Sequence, residues 1–110
     1  MIKILESEKE RSLGFKLRTE VFVKEQNVPI ELELDEKDNS EYTIHVGYFN
    51  GDELIGVARL IDMDKEVIHI GRVAIDKNHR GEGIGYKLIL GCEDIAKNVL
   101  NRDFTIELGA

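Results

Sequence analysis

The chain has 110 residues, of which 42% are hydrophobic and 34% charged, and its net charge is −7. This composition predicts one folded domain over residues 1–110 and excludes a disordered or collagen-like chain. No apolar run approaches the roughly 20 residues that span a bilayer, and the negative charge disfavours nucleic acid as a partner. The single cysteine, Cys92, has no partner for an internal disulfide, so a cytoplasmic location away from the membrane is expected.

The first third of the chain predicts a short strand and a long helix. Ile2 and Ile4 alternate with polar neighbours, as in a strand. A capping box at Ser7-Glu8-Lys9-Glu10 then begins a helix over about residues 8–25, in which apolar side chains recur at helical spacing. Residues 30–41 are acidic and lack clear periodicity, so they are interpreted as a loop with room for one short turn of helix.

Three consecutive antiparallel strands are predicted in the middle of the chain. They cover about residues 42–49, 54–61 and 67–75, which are rich in β-branched and aromatic residues. Asn50-Gly51-Asp52 forms the first reversal, because asparagine and glycine accept a positive φ. Residues 62–66 form the second reversal.

The last third predicts a helix over about residues 84–100 and a final strand over residues 104–108. Cys92 lies on the apolar face of this helix, which favours a packing role over a nucleophilic one. A strand, a helix and a strand in that order need a crossover, so the strands on either side of the helix are expected to be parallel. The predicted fold class is α/β (α+β), a mixed sheet in which antiparallel strands 1–4 are followed by a parallel strand 5, with helices packed on the sheet.

A glycine-rich loop precedes the last predicted helix. Gly81, Gly83 and Gly85 let backbone N–H groups converge at the helix start, and Arg80 adds a full positive charge. This combination predicts a site for phosphate oxygens. A P-loop requires lysine and then serine or threonine after its last glycine, but Tyr86-Lys87-Leu88 follows here. A dinucleotide-binding fingerprint requires GxGxxG early in a parallel sheet, whereas this chain has GxGxG after antiparallel strands.

The third interpretation of the loop rests on a family resemblance. Arg80-x-x-Gly83-x-Gly85, placed after a strand and at the start of a helix, resembles the acyl-CoA signature of the GNAT superfamily of N-acetyltransferases. A second stretch, Leu17–Pro29 with Glu33-Leu34-Asp35 downstream, resembles the first helix and following loop of ElaA-like members. The two motifs, in the right order and with matching strands between them, cover nearly the whole chain.

The resemblance implies an acyl-CoA-dependent N-acyltransferase that moves an acetyl group directly from acetyl-CoA to a primary amine, on a small molecule or a peptide. It also implies that the pyrophosphate binds the amides of the loop and that the pantetheine pairs with the preceding strand. No metal is expected, since His45, His69 and His79 lack ligand-like spacing. The cofactor-binding residues implied by the resemblance are Val73, Ala74, Ile75, Arg80, Gly81, Glu82, Gly83, Ile84 and Gly85.

Two residues are candidates for the base that takes a proton from the amine. His69 corresponds to a position where some family members place a catalytic glutamate, although a histidine packed on the sheet surface is the slightly favoured alternative. Glu25 closes the first predicted helix, where the family's substrate cleft begins. The acidic residues Glu33, Asp35 and Glu36 either attract a cationic amine or form a solvated loop, and the solvated loop is favoured.

GNAT domains usually continue past the fifth strand with a helix that commonly carries a tyrosine, the proton donor to the leaving thiolate. This sequence lacks the matching segment, so a non-catalytic or incomplete CoA-binding module is the alternative to an enzyme. An exposed final strand also predicts pairing with another chain, hence a possible homodimer.

Overall fold

The computed structural model describes residues 1–109 and shows a five-stranded sheet with a helix on each face. Among these residues, no helix has the length and apolar character needed to cross a membrane. In chain order, the elements are β1 (Ile2–Ile4), α1 (Glu8–Arg18), a π-helical segment (Thr19–Glu25), α2 (Ile30–Glu33), a 3₁₀ turn (Glu36–Asn39), β2 (Ile44–Asn50), β3 (Glu53–Ile61), β4 (Val67–Ile75), a second 3₁₀ turn (Lys77–His79), α3 (Ile84–Val99) and β5 (Thr105–Leu108).

The predicted fold class is confirmed by the strand pairing. The strand order is β1-β2-β3-β4-β5; the first four strands are antiparallel neighbours, and β4 and β5 are parallel. The helix α3 makes the crossover between the two parallel strands, as the order of elements required. Because β5 forms one edge of the described sheet, pairing with a second copy of the chain stays a prediction.

Two apolar clusters lie on opposite faces of the sheet. The change of face is visible along β3, where Val57 packs in the α1 cluster and its neighbour Ala58 packs in the α3 cluster. The side chains that α1 and the π-helical segment place in the first cluster are Leu17 and Val21. Those that α3 places in the second are Ile84, Leu88, Cys92 and Ala96.

The predicted helix over residues 8–25 has the expected start and extent but not a uniform geometry. Ser7 caps it, because its Oγ accepts from the Glu10 N–H at 3.1 Å and the Glu10 carboxylate accepts from the Ser7 N–H. From Thr19 onward the helix is π-helical, and the Gln26 N–H donates to the Val21 carbonyl, five residues back, at 3.2 Å. This wider turn rotates the following side chains away from α-helical positions, an effect that apolar spacing does not reveal.

The packing role predicted for Cys92 is confirmed. Its side chain is fully buried on the face of α3 that packs against the sheet, and burial raises the pKa of its thiol to about 12. Because the thiolate is the reactive form, we expect iodoacetamide at mildly alkaline pH to leave the native protein unlabelled and to label it fully in concentrated urea, as measured by mass spectrometry. Fast labelling under native conditions would contradict this picture of the core.

Candidate active site

The strands β4 and β5 separate halfway along β4. Only residues 67–70 of β4 pair with β5, and the last contact is the Gly109 N–H donating to the Ile70 carbonyl at 2.8 Å. Beyond Ile70, β4 has no strand neighbour on this side within residues 1–109. The gap therefore exposes one backbone edge of β4, which can pair with an extended ligand in the manner of an added strand. Val73 and Ile75, both predicted to bind the cofactor, lie in this part of β4.

A β-bulge lies beside the gap. Where β3 has the single residue Ala58, β4 has two, Arg72 and Val73. Arg72 has a φ of 51°, a left-handed conformation that is rare for residues other than glycine. Such a bulge changes the direction of the backbone groups that follow it. The bulge was not predicted, although Gly71 inside a strand is a recognised signal for one.

The glycine-rich loop has the geometry of an anion nest. Gly81 and Gly83 have φ values of 82° and 77°, and Gly83 is the N-cap of α3 without any side-chain capping bond. A Cβ atom added at Gly81, Gly83 or Gly85 would meet no atom within 4 Å, so the space around the loop is open. The first amides of α3 are thus available to an anion at the positive end of the helix dipole.

Arg80 and Glu25, which were predicted as separate site residues, form an ion pair. The Arg80 Nη1 and Nη2 atoms donate to the two Glu25 carboxylate oxygens at 2.8 and 3.0 Å, and the pair lowers the pKa of Glu25. Arg80 also donates from Nε and Nη2 to the Ile75 carbonyl, at 3.2 and 3.0 Å. The charge that Arg80 brings to the loop is therefore partly neutralised by Glu25 in this structure.

His69 lies between two carboxylates in the paired part of β4. Its Nδ1 is 3.0 Å from Asp62 Oδ2, and its Nε2 is 3.2 Å from Oε2 of Glu107, its register partner on β5. Lys37 donates to the other Asp62 oxygen at 2.7 Å. Both ring nitrogens thus have a partner, and the catalytic role of His69 stays a prediction.

The interpretation of the acidic segment as a solvated loop is wrong for two of its carboxylates, while Glu36 is exposed as expected. Glu33 and Asp38 are only 1% and 8% exposed, because arginines from other elements reach them. Arg18 of α1 donates from Nε to Glu33 Oε1 and from Nη1 to Asp38 Oδ1, both at 2.7 Å. Arg59 of β3 donates to Asp38 Oδ1 at 3.0 Å and to Asp35 Oδ1 at 2.8 Å.

These side chains form an ion cluster, defined here as Arg18, Arg59, Arg72, Glu33, Asp35 and Asp38, of which Arg72 and Asp35 are partly exposed. Burial alone raises the pKa of the Asp38 carboxyl, but the hydrogen bonds from Arg18 and Arg59 outweigh it and lower this pKa to about 2. The carboxylate is therefore charged at neutral pH and is balanced by the guanidinium groups around it.

Arg72 connects the ion cluster to the bulge of β4. It donates from Nε to the Glu33 carbonyl and from Nη2 to the Leu32 carbonyl, each at 3.2 Å, and from Nη2 to Asp35 Oδ2 at 3.3 Å. These bonds hold α2 next to the exposed edge of β4. The sequence gives little indication of this arrangement. Arg18 lies one helical turn from apolar residues, but no residue near it in the chain identifies its partners.

A cavity of about 290 Å³ lies between the π-helical segment, α2 and the bulge of β4. It combines apolar side chains from the two helical segments with Glu33 and Arg72 of the ion cluster. Its lining residues are Phe22, Gln26, Val28, Leu32, Glu33, Arg72, Val73 and Gly109.

Comparisons with known proteins agree with this architecture. Residues 5–108 match the family model described as Acetyltransferase (GNAT) family. The uncharacterized N-acetyltransferase YjcF of Bacillus subtilis is 34% identical over 93 residues, which are 84% of this chain and 64% of YjcF. The chain spans less than two thirds of the length of the curated relatives it matches.

Two crystal structures align with the whole of this chain, and each alignment covers 77% of the chain in that structure. They are Escherichia coli ElaA, with 30% identity and a TM-score of 0.86, and an acyl-CoA N-acyltransferase from Pseudomonas aeruginosa, with 31% identity and a TM-score of 0.85. These similarities agree with two features of the structure, the glycine-rich loop at the start of α3 and the separation of β4 from β5. The chain belongs to the GNAT acetyltransferase family and is of the ElaA-like type.

Proposed function

We propose that the protein is an acyl-CoA-dependent N-acyltransferase that transfers an acetyl group directly from acetyl-CoA to a primary amine. The observation that carries the proposal is the continuity of two ligand surfaces. The exposed backbone edge of β4 leads towards the open glycine-rich loop at the start of α3. An extended thioester arm and a pyrophosphate need these two surfaces in this order.

The residues present fit the two ends of this cosubstrate. The amides of residues 81–85 would hold the pyrophosphate, because the loop is free of side chains where the phosphates approach and lies at a helix N-terminus. Val73 and Ile75 would pair with the pantetheine through backbone groups on the open edge of β4. Arg80 would contribute positive charge, and Glu82 and Ile84 would contribute main-chain amides.

The chemistry proposed for the site is direct acyl transfer. A backbone N–H near Val73 would donate to the thioester carbonyl oxygen and stabilise the negative charge that develops there during attack. A base must first take a proton from the incoming ammonium group. His69 and Glu25 are the candidates from the sequence; His69 contacts two carboxylates and Glu25 contacts the Arg80 guanidinium in this structure.

Two measurements on the whole chain test the proposal. Thermal-shift titration with acetyl-CoA and with desulpho-CoA measures cofactor binding, and we expect both ligands to raise the melting temperature. A thiol-release assay over a panel of amines then measures turnover. Absence of any stabilisation at millimolar ligand would contradict CoA binding, while stabilisation without thiol release would favour a CoA-binding module that does not catalyse.

The ion pair between Arg80 and Glu25 makes a further prediction. Glu25→Gln removes a carboxylate that competes with the pyrophosphate for the Arg80 guanidinium, so we expect tighter CoA binding. Because both side chains are partly exposed and solvent screens the pair, we expect the gain in affinity to be limited to a few-fold. Isothermal titration with CoA at low salt measures it.

The matched control for this prediction is Glu20→Gln. Glu20 also forms an exposed ion pair, with Lys24, and its replacement by glutamine changes the net charge of the protein by the same amount. Its CoA affinity should change less than that of Glu25→Gln. Weaker CoA binding by the Glu25 variant would instead show that Glu25 holds Arg80 in its binding position.

A further inference from the structure

We propose that the cavity between the π-helical segment, α2 and the β4 bulge is an acyl-chain pocket. The site would then take acyl-CoA donors with short unbranched chains of up to about six carbons as well as acetyl-CoA. This inference rests on the proposed function, because it follows the acyl group onward from a thioester held beside Val73. It adds the length and polarity of the acyl group to the proposed reaction.

The strand pairing gives the direction in which an acyl chain must run. In the proposed binding mode the pantetheine follows β4 from the glycine-rich loop to Val73, so the acyl group lies on the Ile70 side of Val73. There the edge of β4 is closed, because the Gly109 N–H already donates to the Ile70 carbonyl at 2.8 Å. An acyl group longer than acetyl must therefore leave the line of the strand. The cavity borders this point, since Val73 and Gly109 both line it.

The walls of the cavity beyond the β4 edge are apolar. Phe22, Val28 and Leu32 come from the π-helical segment, the turn that follows it and α2. Leu32 is 64% exposed, which leaves apolar surface that a hydrocarbon chain would remove from water. An acyl chain in the cavity therefore gains a favourable free energy of burial.

The charged residues that line the cavity are already compensated, which disfavours a charged occupant. The Glu33 side chain is 1% exposed, and its Oε1 accepts from Arg18 Nε at 2.7 Å. The Arg72 guanidinium donates to the carbonyls of Leu32 and Glu33 and to Asp35. An ion that entered the cavity would lose hydration next to charges that already have partners, whereas a hydrocarbon chain has no such hydration to lose.

The volume of the cavity limits the length of the chain. The cavity has about 290 Å³, far more than one acetyl methyl group fills, because a group the size of a water molecule takes roughly 30 Å³. The same volume is at the lower end of the roughly 300–1,000 Å³ usual for small-molecule sites, which leaves no room for a long fatty chain. A chain of about four to six carbons satisfies both limits.

The transfer step is the same for each donor. The neutral amine nitrogen forms a C–N bond to the thioester carbonyl carbon, and the C–S bond breaks and leaves its electron pair on sulfur. The proton that the nitrogen then loses converts the thiolate to the thiol, so every donor gives an amide and free CoA. The length of the chain therefore changes how the donor binds and leaves the bonds made and broken unchanged.

A series of donors tests the pocket without turnover. In isothermal titrations of the whole chain without any amine, we expect hexanoyl-CoA to bind about tenfold or more tightly than acetyl-CoA, equivalent to about 1.4 kcal/mol. The gain is possible because each methylene group that becomes buried raises the affinity by up to about fourfold. Decanoyl-CoA should bind no more tightly than hexanoyl-CoA. Equal affinities for acetyl-CoA and hexanoyl-CoA would overturn the proposal.

Methyl NMR shows where the chain lies. When hexanoyl-CoA replaces acetyl-CoA, we expect the methyl signals of Val28 and Leu32 to shift, because both residues line the cavity. The signals of Leu90 and Val99, which are exposed on α3, should stay in place. Shifts at Leu90 and Val99 without shifts at Val28 and Leu32 would put the chain outside the cavity and contradict the inference.

Val28→Phe narrows the pocket, and Val99→Phe is its matched control. Val99 is 52% exposed at the end of α3 and does not line the cavity. We expect Val28→Phe to remove most of the preference for hexanoyl-CoA over acetyl-CoA and Val99→Phe to keep it. Leu32→Ala is a second variant at an exposed position, and it should reduce the preference by about threefold because it removes apolar wall. An unchanged preference in both pocket variants would show that the chain binds elsewhere.

The same titrations separate this inference from the proposed function. CoA itself should bind the wild type and the variants with similar affinity, because none of the substitutions changes residues 81–85. If CoA and acetyl-CoA bind but hexanoyl-CoA gains nothing, the acyl-chain pocket is wrong and the proposed function stands. If hexanoyl-CoA is preferred but no amine of the panel releases thiol, the pocket stands and the N-acyltransferase is wrong. If none of these CoA compounds binds, both are wrong.

Discussion

Gly83→Ala is expected to weaken CoA binding by about tenfold or more, equivalent to about 1.4 kcal/mol. Gly83 has a φ of 77° and its Cα faces open space at the start of α3. A methyl group at this position projects into the space that the pyrophosphate would occupy, and the left-handed backbone of an alanine is strained by about 1–2 kcal/mol, which favours a shift of the amides away from the nest. Isothermal titration with CoA measures the affinity.

Gly51→Ala is the control for the effect of strain alone. Gly51 has a φ of 63°, and an added Cβ meets no atom within 4 Å, but it lies in the turn between β2 and β3 rather than in the loop. Both variants should lose a similar amount of stability in urea unfolding, while only Gly83→Ala should lose CoA affinity. Equal CoA affinities for the two variants would show that the pyrophosphate is not held on the glycine-rich loop.

Arg18→Met is expected to lower the free energy of unfolding by about 3–5 kcal/mol. Methionine approximates the length of the aliphatic part of arginine, but its thioether cannot donate hydrogen bonds. The variant therefore removes the cation that Glu33 and Asp38 share; Asp38 keeps Arg59, but Glu33 loses its hydrogen-bonded cation, and a poorly compensated buried charge is far more unfavourable than a lost surface pair. Urea unfolding at neutral pH measures the change.

Lys24→Met provides the comparison at the surface of the same helical stretch. Lys24 pairs with Glu20 at 2.8 Å, but both side chains are largely exposed, so the expected loss is within about 1 kcal/mol. If Arg18→Met cost no more than Lys24→Met, the ion cluster would not be the element that holds α2 on the sheet.

The outcome for the ion cluster matters for function because the cluster positions the cavity wall. Arg18 holds the side chain of Glu33, and Arg72 holds the carbonyls of Leu32 and Glu33 beside the bulge. The same contacts that stabilise α2 therefore orient a carboxylate next to the edge of β4.

The sequence by itself determined the parts of this protein that depend on local signals. Apolar periodicity and turn residues located the strands, and β4 runs over residues 67–75 as predicted. The capping box and the glycines placed the starts of α1 and α3, because capping depends on residues within one helical turn. The spacing around Arg80 and Gly83 also identified the family, since that motif needs a fixed local backbone.

Only the tertiary structure decided where the carboxylates of the acidic segment lie. Glu33 meets Arg18 across 15 positions of the chain and Arg72 across 39, so no local pattern reveals either contact. An acidic stretch has the same composition whether it is solvated or buried, and the difference lies in whether cations from distant elements reach it. Here three arginines from α1, β3 and β4 compensate the desolvation of its carboxylates.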